Sequence, residues 1–258
     1  MIIATHNKLM HADEITAIAL IKIFIDENIT VKRVSHQTED FSKYDLVIDI
    51  GKKHDGVKFF DHHQYRGGKS SAGLIWDFIG LNTKYKKISK FVHSVDMHDV
   101  GIKKAQEFEY SSLIKCFNTQ NISSSEQDNA FEEAVAFTQK ILTSMKTAEE
   151  NMLLAKEIVA NSFLFNSNPH IIELSEYTPH WGTYINGSKT PYVKAVVWED
   201  IEDNNWKIQI PSKNIGSFEL NSKKLKQNSS MDFVHNAGYF AISKTRDEMI
   251  KFITFNKL

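Results

Sequence analysis

Three stretches of this sequence place histidines and carboxylates directly after short apolar runs. Their imidazole nitrogens and carboxylate oxygens form a mixed donor set that favours Mn²⁺, Fe²⁺, Zn²⁺ or Mg²⁺ over Ca²⁺. Because ligands gather outside the carboxyl ends of the strands in an open α/β sheet, the three stretches predict one shared metal site. The residues concerned are His6, His11 and Asp13 in the first stretch, Asp49 in the second, and Asp61, His62 and His63 in the third.

A further carboxylate is expected from the end of a helix near residue 96. Asp96 and Asp99 lie three residues apart and therefore share a helix face, so the spacing leaves open which of them reaches metal. Neighbours in an extended strand point to opposite faces, so Asp61, His62 and His63 converge only where the strand bends into its loop. His63 therefore has a second interpretation, as a contact to the phosphate of a substrate.

This set of ligands is suited to phosphate chemistry. Two divalent ions about 3.5–4 Å apart can activate a water and clamp both oxygens of an in-line displacement at phosphorus. Asp49 is the candidate for the carboxylate that bridges the two ions. The predicted catalytic residues are Asp49, Asp61, His62 and His63.

The periodicity of the chain predicts the elements that must position these residues. Strands are expected at residues 2–4, 30–34, 46–50 and 57–60, and helices at 13–25, 70–79 and 88–95. This alternation predicts an α/β fold with a mostly parallel sheet. Residues 126–160 contain neither Gly nor Pro and predict one or two long helices. Shorter strands follow at 171–174, 192–198, 206–210 and 233–240, with a turn at 203–205 and a closing helix at 245–255. The expected domains are therefore a metal-binding catalytic domain (1–120), a helical linker (121–165) and a smaller α+β, substrate-facing domain (166–258).

Composition limits the function classes. The chain has 258 residues, of which 41% are hydrophobic and 24% are charged, as in an ordinary globular protein. A net charge of −1 gives no global electrostatic reason to bind nucleic acid. The single cysteine, Cys116, excludes an intrachain disulfide. The longest apolar stretch is too short to span a bilayer and no leader is visible, so a cytoplasmic protein with no membrane partner is expected.

The motifs resemble those of the Myg-type family (melanocyte proliferating gene proteins), which is related to the DHH phosphoesterases. The similarity covers residues 5–14, 47–51, 60–64, 70–74 and 95–99, and in the second lobe residues 206–209, 216–219 and 233–239. The resemblance implies a DHH-type parallel-sheet domain joined by helices to a smaller domain, with the active site in the cleft between them. It also implies metal-dependent phosphodiester hydrolysis with 3′–5′ exonuclease action on RNA, and a cofactor of two Mn²⁺ ions, or Mg²⁺. The implied ligands are His6, His11, Asp13, Asp49, Asp61, His62 and the pair Asp96 and Asp99.

Substrate contacts are expected from both lobes. By resemblance, His235 and the main chain near Gly238 would face the substrate. Arg66 and Lys69 follow the third motif in a glycine-bearing loop and, with His63, are candidates to contact phosphate. The chain departs from the family where Lys8 and Met10 replace glycine and phenylalanine, where Val100 replaces asparagine, and where Ala241 and Ile242 replace paired glycines.

Three functions are compatible with these observations. The first is a two-metal exonuclease acting on RNA or short oligonucleotides. The second is a phosphohydrolase of a small nucleotide or dinucleotide, which the near-zero net charge and the absent glycine pair favour. The third is a non-catalytic binding protein that metal stabilises. The oligomeric state is open.

Overall fold

The computed structural model describes residues 1–38, 40–64, 67–185, 193–211 and 231–258. The chain divides into two compact units, Met1–Glu149 and Glu150–Leu258. Unit 1 is built on a four-stranded parallel sheet, and unit 2 on a six-stranded mixed sheet. The predicted α/β class, with a parallel sheet domain and a smaller α+β domain, is confirmed. The division between the units falls inside the long helix expected at residues 126–160.

The sheet of unit 1 has the strand order β2-β1-β3-β4, and all three neighbouring pairs are parallel. Its central strands are apolar because both faces of the sheet are covered, as in α/β proteins generally. One face contacts the main core, and the other contacts a small cluster around Phe41 and Tyr44. The strands are β1 (Ile2–His6), β2 (Thr30–Val34), β3 (Leu46–Ile48) and β4 (Phe59–Phe60).

Strand β4 is shorter than the sequence indicated. The prediction of a strand from residue 57 is wrong, because Asp55 Oδ1 accepts hydrogen bonds from the amides of Val57, Lys58 and Phe59 at 3.0, 2.8 and 2.9 Å. A carboxylate that binds three successive amides folds them into a turn. Only Phe59 and Phe60 remain to pair with β3.

Helices cover the sheet and carry part of the site. Helix α1 is buried from Ala12 to Ile21, as its apolar composition predicted. Gly80 ends α2 in the left-handed conformation (φ 73°), which confirms the predicted stop. Among the described residues, no helix is both long and apolar enough to cross a membrane. The helices of unit 1 are α1 (Ala12–Phe24), α2 (Ser71–Ile79), α3 (Lys86–Asp99) and α4 (Tyr110–Lys115), followed by α5 (Ser125–Ala160).

Helix α5 is one continuous helix of 36 residues. Phe131, Ala134, Val135 and Leu142, in its first half, belong to the core of unit 1. Ile158, near its end, belongs to an apolar cluster of unit 2. The helix thus occupies most of the predicted linker, and its first part is also structural core.

Unit 2 contains the strand order β5-β6-β7-β8-β10-β9. The predicted turn at residues 203–205 is confirmed, since Asn204 has φ 49° between antiparallel β7 and β8. The prediction of one strand at 233–240 is wrong. Gly238, at φ 71°, forms a turn that is closed by its amide and the His235 carbonyl at 2.8 Å. The elements are β5 (Phe163–Leu164), β6 (Ile171–Glu173), α6 (Trp181–Ile185), β7 (Ala195–Asp200), β8 (Asn205–Gln209), β9 (Phe233–Val234), β10 (Phe240–Ser243) and α7 (Arg246–Phe255).

Candidate metal centre

The carboxyl edge of the parallel sheet gathers most of the predicted ligands into three overlapping groups. Within each group, the donor atoms lie within 4.8 Å of one another. Asp49 belongs to two of the groups, and His62 also belongs to two. The shared residues make the three groups one continuous centre. The groups are His6, His11, Glu14 and Asp49; Asp49, His62 and His63; and Asp13, His62 and Asp99.

Asp49 lies between two histidines, and each of its carboxylate oxygens faces one of them. Its Oδ2 is 3.3 Å from His6 Nε2, and its Oδ1 is 3.3 Å from His62 Nε2. Asp49 follows β3 in the left-handed region (φ 55°), where a residue other than glycine is uncommon. Such backbone strain is found at functional sites, where it holds a side chain in place.

The remaining acids lie around the same two histidines. Glu14 Oε1 is 3.3 Å from His6 Nε2. Asp99 Oδ2 and Asp13 Oδ2 are 3.0 and 3.6 Å from His62 Nε2. Asp13 and Glu14 lie in the first turn of α1, where the helix dipole favours negative charge. Helix α3 supplies Asp99 from its last residue.

Glu14 is a site residue that sequence reasoning missed. The sequence indicated only a favourable helix start at this position, although a carboxylate in the third residue of a helix often binds the residue before the helix. The structure shows that contact, since Glu14 Oε1 accepts the His11 amide at 2.8 Å. Glu14 is also completely buried, and its carboxylate belongs to one of the three donor groups. The available signal was the adjacency of Glu14 to Asp13.

Ser71, at the N-terminus of α2, donates hydrogen bonds to two carboxylates of the centre. Ser71 Oγ donates to Asp49 Oδ1 at 2.8 Å, and the Ser71 amide donates to Asp13 Oδ2 at 3.3 Å. Both carboxylates are therefore oriented by a buried residue at the positive end of a helix.

Asp96 and Asp99 take different places, although they share a helix. Asp96 Oδ1 accepts from the Ser70 amide, the Ser70 hydroxyl and the Gly73 amide at 3.0, 2.7 and 3.1 Å. A Cβ at Gly73 would clash with this carboxylate. Asp96 thus binds the start of α2 and lies outside the three groups, whereas Asp99 belongs to one of them.

Asp61 also lies outside the three groups and instead orients His63. Its Oδ1 accepts from His63 Nδ1 at 2.8 Å and from the His63 amide at 2.9 Å, and its Oδ2 accepts the Lys52 amide at 2.6 Å. The hydrogen bond that His63 donates to Asp61 raises the pKa of His63. Burial would raise the pKa of Asp61, but the hydrogen bonds from His63 and Lys52 lower it.

Several oxygen atoms of the buried carboxylates accept no hydrogen bond from the described residues. Across the part of the chain that the structure describes, Asp13 Oδ1, Glu14 Oε2 and Asp49 Oδ2 have no hydrogen-bond partner. A buried charge without partners is costly, so this cluster requires positive charge. Mixed imidazole and carboxylate donors fit a divalent transition metal, or Mg²⁺, at this place.

The pKa values of the histidines also indicate that this cluster requires positive charge. Burial alone would lower the pKa of His6, but Asp49 and Glu14 raise it to about 11. Burial likewise opposes protonation of His62, whereas Asp49 and Asp99 raise its pKa to about 10. Burial and the neighbouring charge of Asp49 raise the pKa of Asp13. Metal-free protein therefore binds protons where a cation would otherwise be needed.

Two cavities flank the centre, and Asp49 and His63 line both of them. One has a volume of about 560 Å³ and includes His62, His98 and Asp99 in its wall. The other has about 630 Å³ and includes His36, Phe41 and Phe59. Both volumes lie in the range of small-molecule sites.

The structure describes most of the residues that were predicted to contact the substrate, but not all of them. Arg66 lies outside the described residues. Lys69 is ion-paired with Asp77, which occupies its ammonium group. His235 and Gly238 lie at the turn between β9 and β10, where His235 Nδ1 accepts the Ala237 amide at 3.1 Å. The His235 ring lies 4.4 Å from the ring of Tyr239.

Several known proteins are similar to this chain. A MYG1 protein of Saccharomyces cerevisiae is 25% identical, over 95% of this chain and 92% of that protein. The MYG1 exonuclease of Homo sapiens is 24% identical, over 95% of this chain and 82% of that protein. A solved pGpG-specific phosphodiesterase, PggH from Vibrio, aligns over 99% of both chains with 13% identity and a TM-score of 0.38, a likeness too distant to define a substrate.

The prediction of a hydrolytic enzyme agrees with the family and with the name of the human relative. The predicted resemblance to Myg-type proteins is confirmed by a family match that extends over nearly the whole chain. Because the family model MYG1_exonuc, described as uncharacterised protein family UPF0160, matches residues 2–255, this chain belongs to that family.

Proposed function

We propose that this chain is a metal-dependent phosphodiester hydrolase that removes nucleotides from the 3′ end of RNA or short oligonucleotides. Two Mn²⁺ ions, or Mg²⁺ in their place, would be its cofactor. The observation that carries this proposal is the position of Asp49 between His6 and His62, at the junction of three donor groups. The exonuclease name of the human relative supports the same reaction.

The donor groups support a proposal of two sets of ligands. His6, His11, Glu14 and Asp49 would hold one ion, and Asp13, His62 and Asp99, with Asp49 shared, would hold the other. Ions held there would supply Lewis acidity and neutralise charge on a phosphate. Ser71 and the start of α2 keep Asp49 and Asp13 oriented toward this place.

His63 is suited to move a proton at the substrate phosphate. Its Nδ1 is bound to Asp61, which leaves Nε2 without a hydrogen-bond partner among the described residues. The side chain is 48% exposed and lines both cavities. The hydrogen bond to Asp61 raises the pKa of His63, which favours the protonated ring that would donate a proton to a leaving oxygen. In this proposal Asp61 is a positioning residue for His63.

A specific observation also favours the small-substrate alternative. Ala241 and Ile242, which stand where the family tends to have paired glycines, lie in β10 and pair with both β8 and β9. Their side chains fill positions at which glycine would let a phosphate approach the backbone. Together with a net charge of −1, this favours a substrate with few phosphates, such as a dinucleotide.

The test is hydrolysis of a 5′-labelled RNA, a tetranucleotide and a dinucleotide, each with Mn²⁺ or Mg²⁺. The variants are His62→Ala, which removes a shared ligand, and His93→Ala, which removes an exposed histidine outside the centre. Stepwise shortening by wild type and His93→Ala, with none by His62→Ala, is the expected result. Undiminished turnover by His62→Ala contradicts the proposed centre. Cleavage of the dinucleotide alone establishes the small-substrate function, and metal binding without any turnover establishes a binding protein.

A further inference from the structure

The cavity beside Asp99 and His62 has a basic wall on one side. Lys103, Lys104 and Lys115 line it together with the metal-centre residues. The cavity of about 560 Å³ thus joins a cluster of buried acids to a group of exposed cations. Such opposite charges in one cavity fit a ligand that presents an anionic group beyond the metal centre.

The three lysines differ in whether their charge is already balanced. Lys103 Nζ is 2.7 Å from Glu109 Oε1. Lys104 and Lys115 are exposed, and no side chain among the described residues forms an ion pair or hydrogen bond with their ammonium groups. These two lysines therefore remain free to bind a ligand.

The basic wall is attached to the same helix end that supplies Asp99. Gly101 turns the chain at φ 75°, and the Lys103 amide then donates to the Met97 carbonyl at 2.9 Å. The short helix α4, which ends at Lys115, is held by a 3.1 Å contact between Ser111 Oγ and His98 Nδ1. The lysines and the ligand Asp99 are consequently positioned by one connected set of contacts.

A substrate with more than one phosphate needs such cations. One phosphate would lie at the metal centre, where bound ions balance its charge. A second phosphate a nucleotide away would face the surrounding carboxylates unless a cation stood there. We propose that Lys104 and Lys115 form a subsite for a substrate phosphate other than the one that is cleaved. This inference rests on the proposed function of the centre and adds the recognition of a second phosphate.

The test compares a dinucleotide that carries a 5′-phosphate with the same dinucleotide lacking it. The double variant Lys104→Ala/Lys115→Ala should raise KM for the phosphorylated dinucleotide about tenfold or more, because a hydrogen bond to a charged group contributes at least that factor. The value of kcat should stay near that of wild type. For the dinucleotide without the 5′-phosphate, KM should not change. The double variant Lys86→Ala/Lys90→Ala, which removes two exposed lysines outside the cavity, is the charge-matched control.

A second measurement does not depend on turnover. Binding of the phosphorylated dinucleotide is titrated by calorimetry in EDTA at several salt concentrations. The double variant should bind more weakly and with a shallower salt dependence, since fewer counterions are released. Equal effects on both dinucleotides, or no effect on either, would overturn the subsite. If wild type hydrolyses neither the dinucleotides nor the labelled RNA, the proposed function fails, whereas the titration still reports on the two lysines.

Discussion

The two units each contain a cluster of acidic residues, and the clusters balance their charge in different ways. In the β7–β8 hairpin of unit 2, Lys207 Nζ is 2.6 Å from both Asp200 Oδ2 and Asp203 Oδ2. In unit 1, Asp13 and Asp49 are buried among histidines and have no lysine or arginine partner among the described residues.

This difference shows why one cluster is a candidate site and the other is structural. A lysine is permanently charged near neutral pH, so the hairpin needs no further ligand. Histidines can be neutral or charged, so those of unit 1 are able to give up their protons wherever a metal ion binds the neighbouring carboxylates. Burial, more than the number of acids, makes positive charge necessary at this cluster.

The largest effect is expected from Asp49→Asn, because the variant keeps the shape of the side chain and removes the charge that two donor groups share. Turnover should fall by roughly 10³-fold or more, and bound Mn²⁺ should be lost. The matched change in unit 2, Asp200→Asn, should leave both unaltered, since the polar partners of Asp200 among the described residues lie in the hairpin. Hydrolysis rates and metal content by mass spectrometry test the pair, and equal effects of the two variants would erase the distinction between the clusters.

The second-largest expected effect is a change of folding stability with pH. In metal-stripped protein the folded pKa values of His6 and His62 are about 11 and about 10, above the ordinary value of 6.5. A raised pKa contributes stability that is complete below about pH 6.5 and is lost as pH rises toward those values. Thermal unfolding in EDTA should therefore occur at lower temperature at about pH 9 than at about pH 6.5.

Added Mn²⁺ should reverse this loss, because the ion binds the deprotonated histidines and replaces the protons. The hairpin of unit 2 provides the contrast, since the pKa of Lys207 is raised from 10.5 and its charge persists throughout this range. His62→Gln serves as the control and should flatten the dependence on pH. A wild-type unfolding temperature in EDTA that rises over the same interval would refute the prediction.

A smaller effect is expected from Ser71→Ala, which removes the hydrogen bond to Asp49 and leaves every ligand in place. Loss of such a supporting contact should weaken Mn²⁺ binding by about 10–100-fold. Ser243→Ala removes a comparable buried serine of unit 2, whose hydroxyl donates to the Thr245 carbonyl at 3.1 Å. That control should cost about 1 kcal/mol of unfolding free energy without any change in metal affinity. Calorimetric titration with Mn²⁺ and urea unfolding separate the two results.

The sequence could predict the features of the site that depend on local properties, but not those that depend on contacts between distant residues. Strand ends and ligand types are local properties, so the meeting of His6, Asp49 and His62 at one sheet edge follows from apolar runs and from parallel pairing. The choice between Asp96 and Asp99 is not local, because both share a face of α3 and only the contact with Ser70 and Gly73 removes Asp96 from the centre.

The roles of Asp61 and Glu14 depend on side-chain contacts to residues two or three positions away. The carboxylate of Asp61 accepts a hydrogen bond from His63, two residues later, and that of Glu14 accepts one from the His11 amide, three residues earlier. A sequence pattern marks such residues as polar and close to the site. It does not show which oxygen meets a metal and which meets a neighbour, because side-chain torsions select between the two.

The smallest effect is expected at Lys8, which stands where the family tends to have glycine and adopts φ 69°. The left-handed conformation costs a residue with a Cβ about 1–2 kcal/mol. Glycine avoids this cost, but its greater unfolded-state entropy cancels part of the gain. Lys8→Gly should therefore stabilise unit 1 by up to about 1 kcal/mol, as measured by urea unfolding. The Lys8 carbonyl, which accepts from Arg33 and Gln127, is retained in the variant.

Asn204, at φ 49° in the hairpin of unit 2, is the matched control, because asparagine tolerates this conformation. Asn204→Gly should change the unfolding free energy less than Lys8→Gly does. A destabilised Lys8→Gly variant would mean that the exposed lysine side chain contributes more than its backbone costs. Such a result would assign Lys8, two residues after His6, a stabilising role near the candidate metal centre, and its backbone strain would then be comparable to that of Asp49.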